Sequence, residues 1–257
     1  MTRLRVFPDA EAVARHAADQ LAWRIGEARK QGREVHIALA GGQTPRRAYE
    51  LLGEIEGSWK HVHLWLGDER CVPDGDPESN ARMVRESLYA HARAEPPSLH
   101  TMPSPQQPED AAWLYGLEVR REVPEARFDI VLLGMGPDGH TASLFPGHPA
   151  LAVQRAPCVA VRDSPKPPPQ RVTLTLPVLR RARFTLLLVT GAEKADALAR
   201  ARAGDRSVPV ALLGDGLDEI ACDPAANGDT ERYQGNERAE ARIRTADDSR
   251  SLRRTTP

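Results

Sequence analysis

Apolar positions recur along this chain in two periods. In residues 10–30 they fall near helical spacing, with Val13, Ala17, Leu21 and Ile25 on one face, which predicts an amphipathic helix. Short apolar runs follow at residues 35–40, 62–66, 128–133 and 184–189. Each is bounded by turn residues and too short for a helix, so each predicts a buried strand. Helical stretches lie between them: one after Pro45 with Tyr49, Leu51 and Leu52, then about 79–89, 111–122 and, after Lys194, to about 203. Residues 158–161 and 171–175 read as further strands, 177–181 as a short helix, and 208–213 and 218–222 as closing pieces. Residues 96–108 form a proline-rich connector, and 164–170, with four prolines, a rigid loop. Strands alternating with helices predict an α/β, Rossmann-like fold with a mostly parallel sheet and helices on both faces.

The pattern ends near Ala226. Residues 227–257 carry Tyr233, Ile243 and Leu252 as their only large hydrophobic side chains among Arg, Glu and Asp. Such a segment buries too little apolar area to offset its ordering entropy. The expectation is one domain over residues 1–226 and a disordered polar tail over 227–257, with a docked helix through 238–244 as the alternative.

Charge adds an exclusion. The 257 residues hold 35 Lys and Arg against 36 Asp and Glu, so no global field favours nucleic acid or a membrane surface. The N-terminal residues lack the apolar core of a signal peptide, and no run approaches a membrane span. Cys71, Cys158 and Cys222 are odd in number and lack metal-ligand spacing, which fits a reduced, cytoplasmic protein with no metal site.

Candidate chemistry concentrates where the 128–133 run meets Gly134-Met135-Gly136-Pro137-Asp138-Gly139-His140. A strand end of this kind presents backbone N–H groups, Asp138 and His140 to one small ligand, and ligands of open α/β sheets bind there. His and Asp both move protons near neutral pH; a hydrogen-bonded structural histidine is the plainer reading. The glycines also fit G-x-G-x-x-G, with Asp163 roughly where a ribose-binding acid sits. Pro146, Gly147 and Pro149 interrupt the helix that a dinucleotide fingerprint needs, so nucleotide binding is disfavoured.

Three other loops end apolar runs: Gly41-Gly42-Gln43-Thr44-Pro45, Asp68-Glu69-Arg70 and Gly191-Ala192-Glu193-Lys194. A parallel sheet brings all four to one edge. Thr44 and Pro45 read as a helix N-cap and first-turn pair, whose free N–H groups and dipole favour an anion. Arg70 offers a planar fork for phosphate, Lys194 a point charge, and Arg171 a further cation. Together they suggest a phosphorylated small molecule with its other end facing His140. Taken singly, the same pieces read as a tight turn, a surface ion-pair cluster and a solvated lysine.

At these residues the chain resembles the 6-phosphogluconolactonases of the glucosamine-6-phosphate isomerase superfamily. Leu39–Pro45 is similar to that family's Ser-Gly-Gly-x-Thr-Pro loop, and Gly67–Pro73 with Ser79-Asn80 to its Asp-Glu-Arg segment. Residues 134–147 are close to its Gly-Met-Gly-x-Asp-Gly-His-Thr-Ala-Ser-Leu-Phe-Pro-Gly block. Lys166-Pro167-Pro168, Arg171–Thr175, Gly191 with Lys194, and Asp223–Ala226 resemble later blocks. Ala40 departs from the usual Ser, and the tail after Asn227 has no counterpart.

The resemblance implies hydrolysis of 6-phospho-D-glucono-1,5-lactone without a cofactor, by a monomer. It implies His140 as general base, Asp138 as its orienting carboxylate, and Gly41, Gly42, Thr44, Asp68, Arg70, Arg171 and Lys194 as the substrate-binding set. A glycine-loop N–H or a nearby Arg would stabilise the oxyanion. Deaminases of the superfamily carry a glutamate five residues after the histidine, where this chain has Phe145. A non-catalytic sugar-phosphate sensor is the other alternative, although the chain shows no helix-turn-helix segment.

Overall fold

The computed structural model describes residues 2–92, 95–103 and 107–229. The expectations for residues 230–257 therefore lie outside the described residues. Among the described residues there are ten strands: β1 (Arg3–Val6), β2 (Val35–Leu39), β3 (Val62–Leu66), β4 (Asp68–Arg70), β5 (Ser98–His100), β6 (Ile130–Gly134), β7 (Cys158–Val161), β8 (Arg171–Leu174), β9 (Thr185–Val189) and β10 (Glu219–Cys222). Six α-helices accompany them: α1 (Ala10–Lys30), α2 (Gln43–Ile55), α3 (Asn80–Val84), α4 (Pro108–Glu122), α5 (Leu176–Arg180) and α6 (Ala195–Arg202). Beyond α3, residues Arg85–Tyr89 continue as a π-helical turn.

Seven strands form one parallel sheet in the order β1-β10-β9-β6-β2-β3-β5. Every residue of β2 and β9 is buried, as a strand covered on both faces requires. The chain steps from β2 through β3 to β5 in one direction and from β6 through β9 to β10 in the other. The switch point falls between β2 and β6, the place where a ligand crevice opens in such sheets.

Helix α1 shows how the sequence dictates its own limits. Asp9 caps it, its carboxylate accepting from Ala12 N at 2.7 Å, and Arg29 and Lys30 stand in the last turn. Its buried face, which includes Val13, Ala17, Leu21 and Ile25, packs with α2 and against β9 and β10. Helix α4 instead packs on β7 and β8. Among the described residues no helix is long and apolar enough to cross a membrane.

The structure corrects several expectations. Strands β7 and β8 do not join the parallel sheet; with β4 they form a small antiparallel one, ordered β4-β8-β7. A parallel partner needs a crossover of a dozen or more residues, usually a helix, whereas only the proline loop joins β7 to β8. Asp68-Glu69-Arg70 is accordingly a strand rather than a loop. Of the two closing pieces, the one at 208–213 falls in 3₁₀ turns over Pro209–Gly216 and the one at 218–222 is strand β10. Strand β1 and strand β5, the latter inside the proline-rich connector, went unread.

Candidate active site

A cavity of about 190 Å³ opens at the switch point. Its walls are the ends of β2 and β6, the start of β4, and Arg171 from β8. Gly41, Gly42, Asp68, Arg70, His140 and Arg171 all line it, so three of the four candidate segments converge at one edge of the parallel sheet. Thr44 and Lys194 are not in its lining. Thr44 Oγ1 lies 2.7 Å from Thr190 Oγ1, beyond the end of β9, and Lys194 Nζ is 3.9 Å from Glu193.

Helix α2 begins at Gln43, with Gly42 as its cap at φ +108 and no side-chain capping bond. Thr44 thus sits inside the first turn rather than capping it. The helix opens with no acidic residue, leaving its N–H groups and dipole for an anion. Gly41 is required for close approach: a Cβ there would lie 2.4 Å from Asn80 Oδ1. Ala40 is tied to fully buried Tyr49, whose hydroxyl accepts from Ala40 N and donates to Ala40 O at 2.9 and 2.8 Å.

The Asp68-Glu69-Arg70 strand is no surface ion-pair cluster. Glu69 is buried and accepts from the backbone N–H groups of Arg70, Asn80 and Ala81 and from Ser79 Oγ, all within 3.0 Å. Burial raises its pKa, and these four donors act against that rise. Glu69 thereby fixes the start of α3 to β4 and sets Asn80, which lines the cavity and donates to Asp68 O at 2.9 Å. Asp68 itself is buried and accepts from Ser143 Oγ at 2.6 Å.

Arg70 and Arg171 face each other in the β4–β8 register, which puts two guanidinium groups in one wall of the cavity. Arg70 donates to the carbonyl and carboxylate of Glu78, while its buried Nε has no hydrogen-bond partner among the described residues. Arg171 is buried; its Nε and one terminal nitrogen bond the carbonyls of Lys166, Pro167 and Pro168. It therefore holds the proline loop as well as facing the cavity.

His140 lines the same cavity as these cations. Its Nδ1 is 2.5 Å from Asp138 Oδ1, and its Nε2 makes no hydrogen bond among the described residues. The chain folds back to place the ring: Gly136 N donates to His140 O, Gly139 N to Gly136 O, and Gly139 takes φ +80. The imidazole lies over Gly136, where a Cβ would come within 2.0 Å of it, and its centroid is 4.7 Å from that of Phe145. Burial lowers the pKa of His140, and the hydrogen bond and charge of Asp138 offset part of that. Burial pushes Asp138 up, but His140 and Lys166 outweigh it and leave the carboxyl below its ordinary value. The resting pair is thus a neutral imidazole, Nδ1–H toward Asp138, with a lone pair on Nε2. This is the form a general base needs.

The dinucleotide resemblance of the glycines has no structural counterpart. After Gly139 the chain makes tight turns, an isolated Thr141–Leu144 bridge and a short 3₁₀ segment at Pro149–Ala152, not a helix returning to the sheet. Asp163 pairs with His148 at 2.9 Å. Among the described residues no group of three His, Cys, Asp or Glu side chains is arranged to hold a metal ion. Two residues of this neighbourhood had no role assigned from the sequence: Asn80, and Lys166, whose Nζ is 3.5 Å from Asp138 Oδ1. Only the lone cation among prolines at Lys166 gave a local hint.

Known proteins agree with this architecture. A family model described as glucosamine-6-phosphate isomerases/6-phosphogluconolactonase matches residues 8–221. The chain is 37% identical over 230 residues to a 6-phosphogluconolactonase of Streptomyces coelicolor, covering 82% of this chain and 87% of that one. It is 38% identical over 224 residues to a 6-phosphogluconolactonase of Mycobacterium tuberculosis, covering 82% and 90%. Its fold is similar to the crystal structure of a 6-phosphogluconolactonase from Thermotoga maritima, with a TM-score of 0.78 at 27% identity, covering 87% and 100%.

Proposed function

The chain belongs to the glucosamine-6-phosphate isomerase/6-phosphogluconolactonase family, and on that premise we propose that it hydrolyses 6-phospho-D-glucono-1,5-lactone to 6-phospho-D-gluconate in the oxidative pentose phosphate pathway. The observation that carries the reading is His140, its Nδ1 2.5 Å from Asp138 Oδ1, lining one small cavity together with Arg70 and Arg171.

In this mechanism Nε2 takes a proton from water as the water oxygen attacks C1 of the lactone. The imidazolium that forms is stabilised by Asp138, which keeps Nδ1–H in place. The tetrahedral intermediate then collapses, the C1–O5 bond breaks, and the proton on Nε2 passes to O5. A lactone is an activated ester, so this sequence asks for no covalent nucleophile, metal or organic cofactor. The phosphate is held at the α2 N-terminus beside Gly41 and Gly42, with Arg70 and Arg171 as cations and Thr44 and Lys194 as outer contacts. Asp68 faces the sugar hydroxyls. Binding energy from the phosphate end thereby positions the reacting carbonyl at the other.

The deaminase alternative is disfavoured by Phe145, a buried apolar ring beside His140 where that chemistry places a carboxylate. We place the enzyme in the cytoplasm, where its three free cysteines stay reduced, acting as a monomer on a soluble phosphosugar. The purified protein is expected to hydrolyse freshly generated lactone well above the spontaneous rate and to release no ammonia from glucosamine 6-phosphate. Ammonia release, or lactone loss at the spontaneous rate alone, would reverse the assignment.

A further inference from the structure

Lys166 is the one cation in the run Ser164-Pro165-Lys166-Pro167-Pro168-Pro169, and that run is held at both ends. At one end Asp163 pairs with His148 at 2.9 Å. Within the loop Ser164 N donates to Pro169 O, Ser164 Oγ donates to Lys166 O at 2.8 Å, and Lys166 N returns a bond to Ser164 Oγ at 3.2 Å. At the other end the Arg171 guanidinium bonds three successive carbonyls, those of Lys166, Pro167 and Pro168, each at 3.1 Å. Prolines and backbone bonds together leave the Lys166 backbone little freedom. The side chain delivers Nζ to 3.5 Å from Asp138 Oδ1, the same oxygen that lies 2.5 Å from His140 Nδ1.

We propose that Lys166 is a positioning residue that acts through Asp138, its ammonium anchoring the carboxylate that grips His140 and setting the basicity of the imidazole. One carboxylate oxygen is shared between the ammonium and the ring, so both the orientation of the ring and its proton affinity depend on the loop. The two contacts in series keep Nζ within 6.0 Å of Nδ1. Other charged groups around the ring are Asp138 and Asp68, which raise its proton affinity, and Arg70 and Arg171, which line the same cavity. Lys166 opposes the two carboxylates directly. Proton affinity held down in this way keeps the base unprotonated at neutral pH.

The kinetic arm of the test rests on the lactonase reading, whereas the spectroscopic arm does not. Imidazole titrations of the full chain are followed by NMR in wild type, Lys166→Met and Lys166→Arg, with the His140 signal identified by its loss in His140→Ala. The His140 midpoint is expected to move to higher pH in Lys166→Met and to return toward wild type in Lys166→Arg. In lactone hydrolysis the acidic limb should move the same way. On that limb kcat/KM should fall about threefold relative to the neutral plateau, the effect of one unit charge at roughly 6 Å through a water-like dielectric. Superimposable His140 titrations in wild type and Lys166→Met overturn the inference. So does an unchanged pH profile with a raised KM for the phosphorylated lactone alone, which makes Lys166 a phosphate contact. A shifted His140 midpoint in a protein that hydrolyses no lactone supports the inference and removes the lactonase reading instead.

Discussion

Replacing His140 with alanine is expected to lower kcat/KM for 6-phosphogluconolactone by about 10²–10⁴-fold, the usual effect of losing a general base. The protein should stay folded, because the imidazole contacts Asp138 and the Phe145 ring without filling the core between sheet and helices. Substrate affinity should change little, since the proposed phosphate contacts are the α2 N-terminus, Arg70 and Arg171 rather than His140. The pH dependence of stability gives a second readout. His140 has a folded pKa below its ordinary value, so below the ordinary histidine range the unfolded chain binds more protons than the folded one. Its contribution is fully present at neutral pH and is lost as pH falls through that range toward the folded pKa; His140→Ala should lack this part of the loss. Turnover within a fewfold of wild type would remove His140 from the mechanism.

Gly136→Ala should approach the same loss without touching any polar group. A methyl on Gly136 would sit 2.0 Å from His140 Cε1, 2.2 Å from Nδ1 and 2.8 Å from Asp138 Oδ1. Gly136 is not in the left-handed region, so alanine meets no backbone strain and the effect is purely steric. The ring and its carboxylate must swing away, and a displacement of about 1 Å already costs on the order of 10²-fold in rate. Overpacking of this kind destabilises by about 1–3 kcal/mol, which for a chain this size lowers the melting temperature by roughly 2–12 °C. Full activity in Gly136→Ala would mean that the dyad geometry described above is not the working one.

Sequence was most legible where burial was most complete. Strands β2, β3, β6 and β9 stood out because strands covered on both faces read as near-continuous apolar runs. Strand β1 was invisible: it lies at the sheet edge, largely exposed, with Arg3 and Arg5 alternating. Strand β5 has only three residues and is preceded by two prolines. The β7–β8 pair read correctly as strands but not as a separate sheet, because its antiparallel partner β4 is made of Asp, Glu and Arg.

In the site, Asp138 and His140 were legible because strand end, glycines and side chains are contiguous. The resemblance to known lactonases then named their roles. Glu69 looked like surface charge because, apart from Arg70, its donors come from residues 79–81, and only the fold brings Ser79, Asn80 and Ala81 to it. Asp223 was read only as part of a motif; its carboxylate accepts from Gly191 N and Ala226 N and so fixes the turn that carries Lys194.

In the proposed mechanism a neutral His140, gripped by Asp138, activates water at the lactone carbonyl. The pH dependence of kcat/KM, corrected for spontaneous hydrolysis, tests it most directly, since kcat/KM reports ionisations of the free enzyme. The account predicts a plateau through neutral pH and a single acidic limb of unit slope, with its midpoint below the ordinary histidine value because burial disfavours the imidazolium. In Asp138→Asn that limb should move to still lower pH, as the carboxylate that favours the charged ring is gone, and the plateau should fall. A profile with no acidic limb, or an acidic midpoint above the ordinary histidine range, would contradict the account.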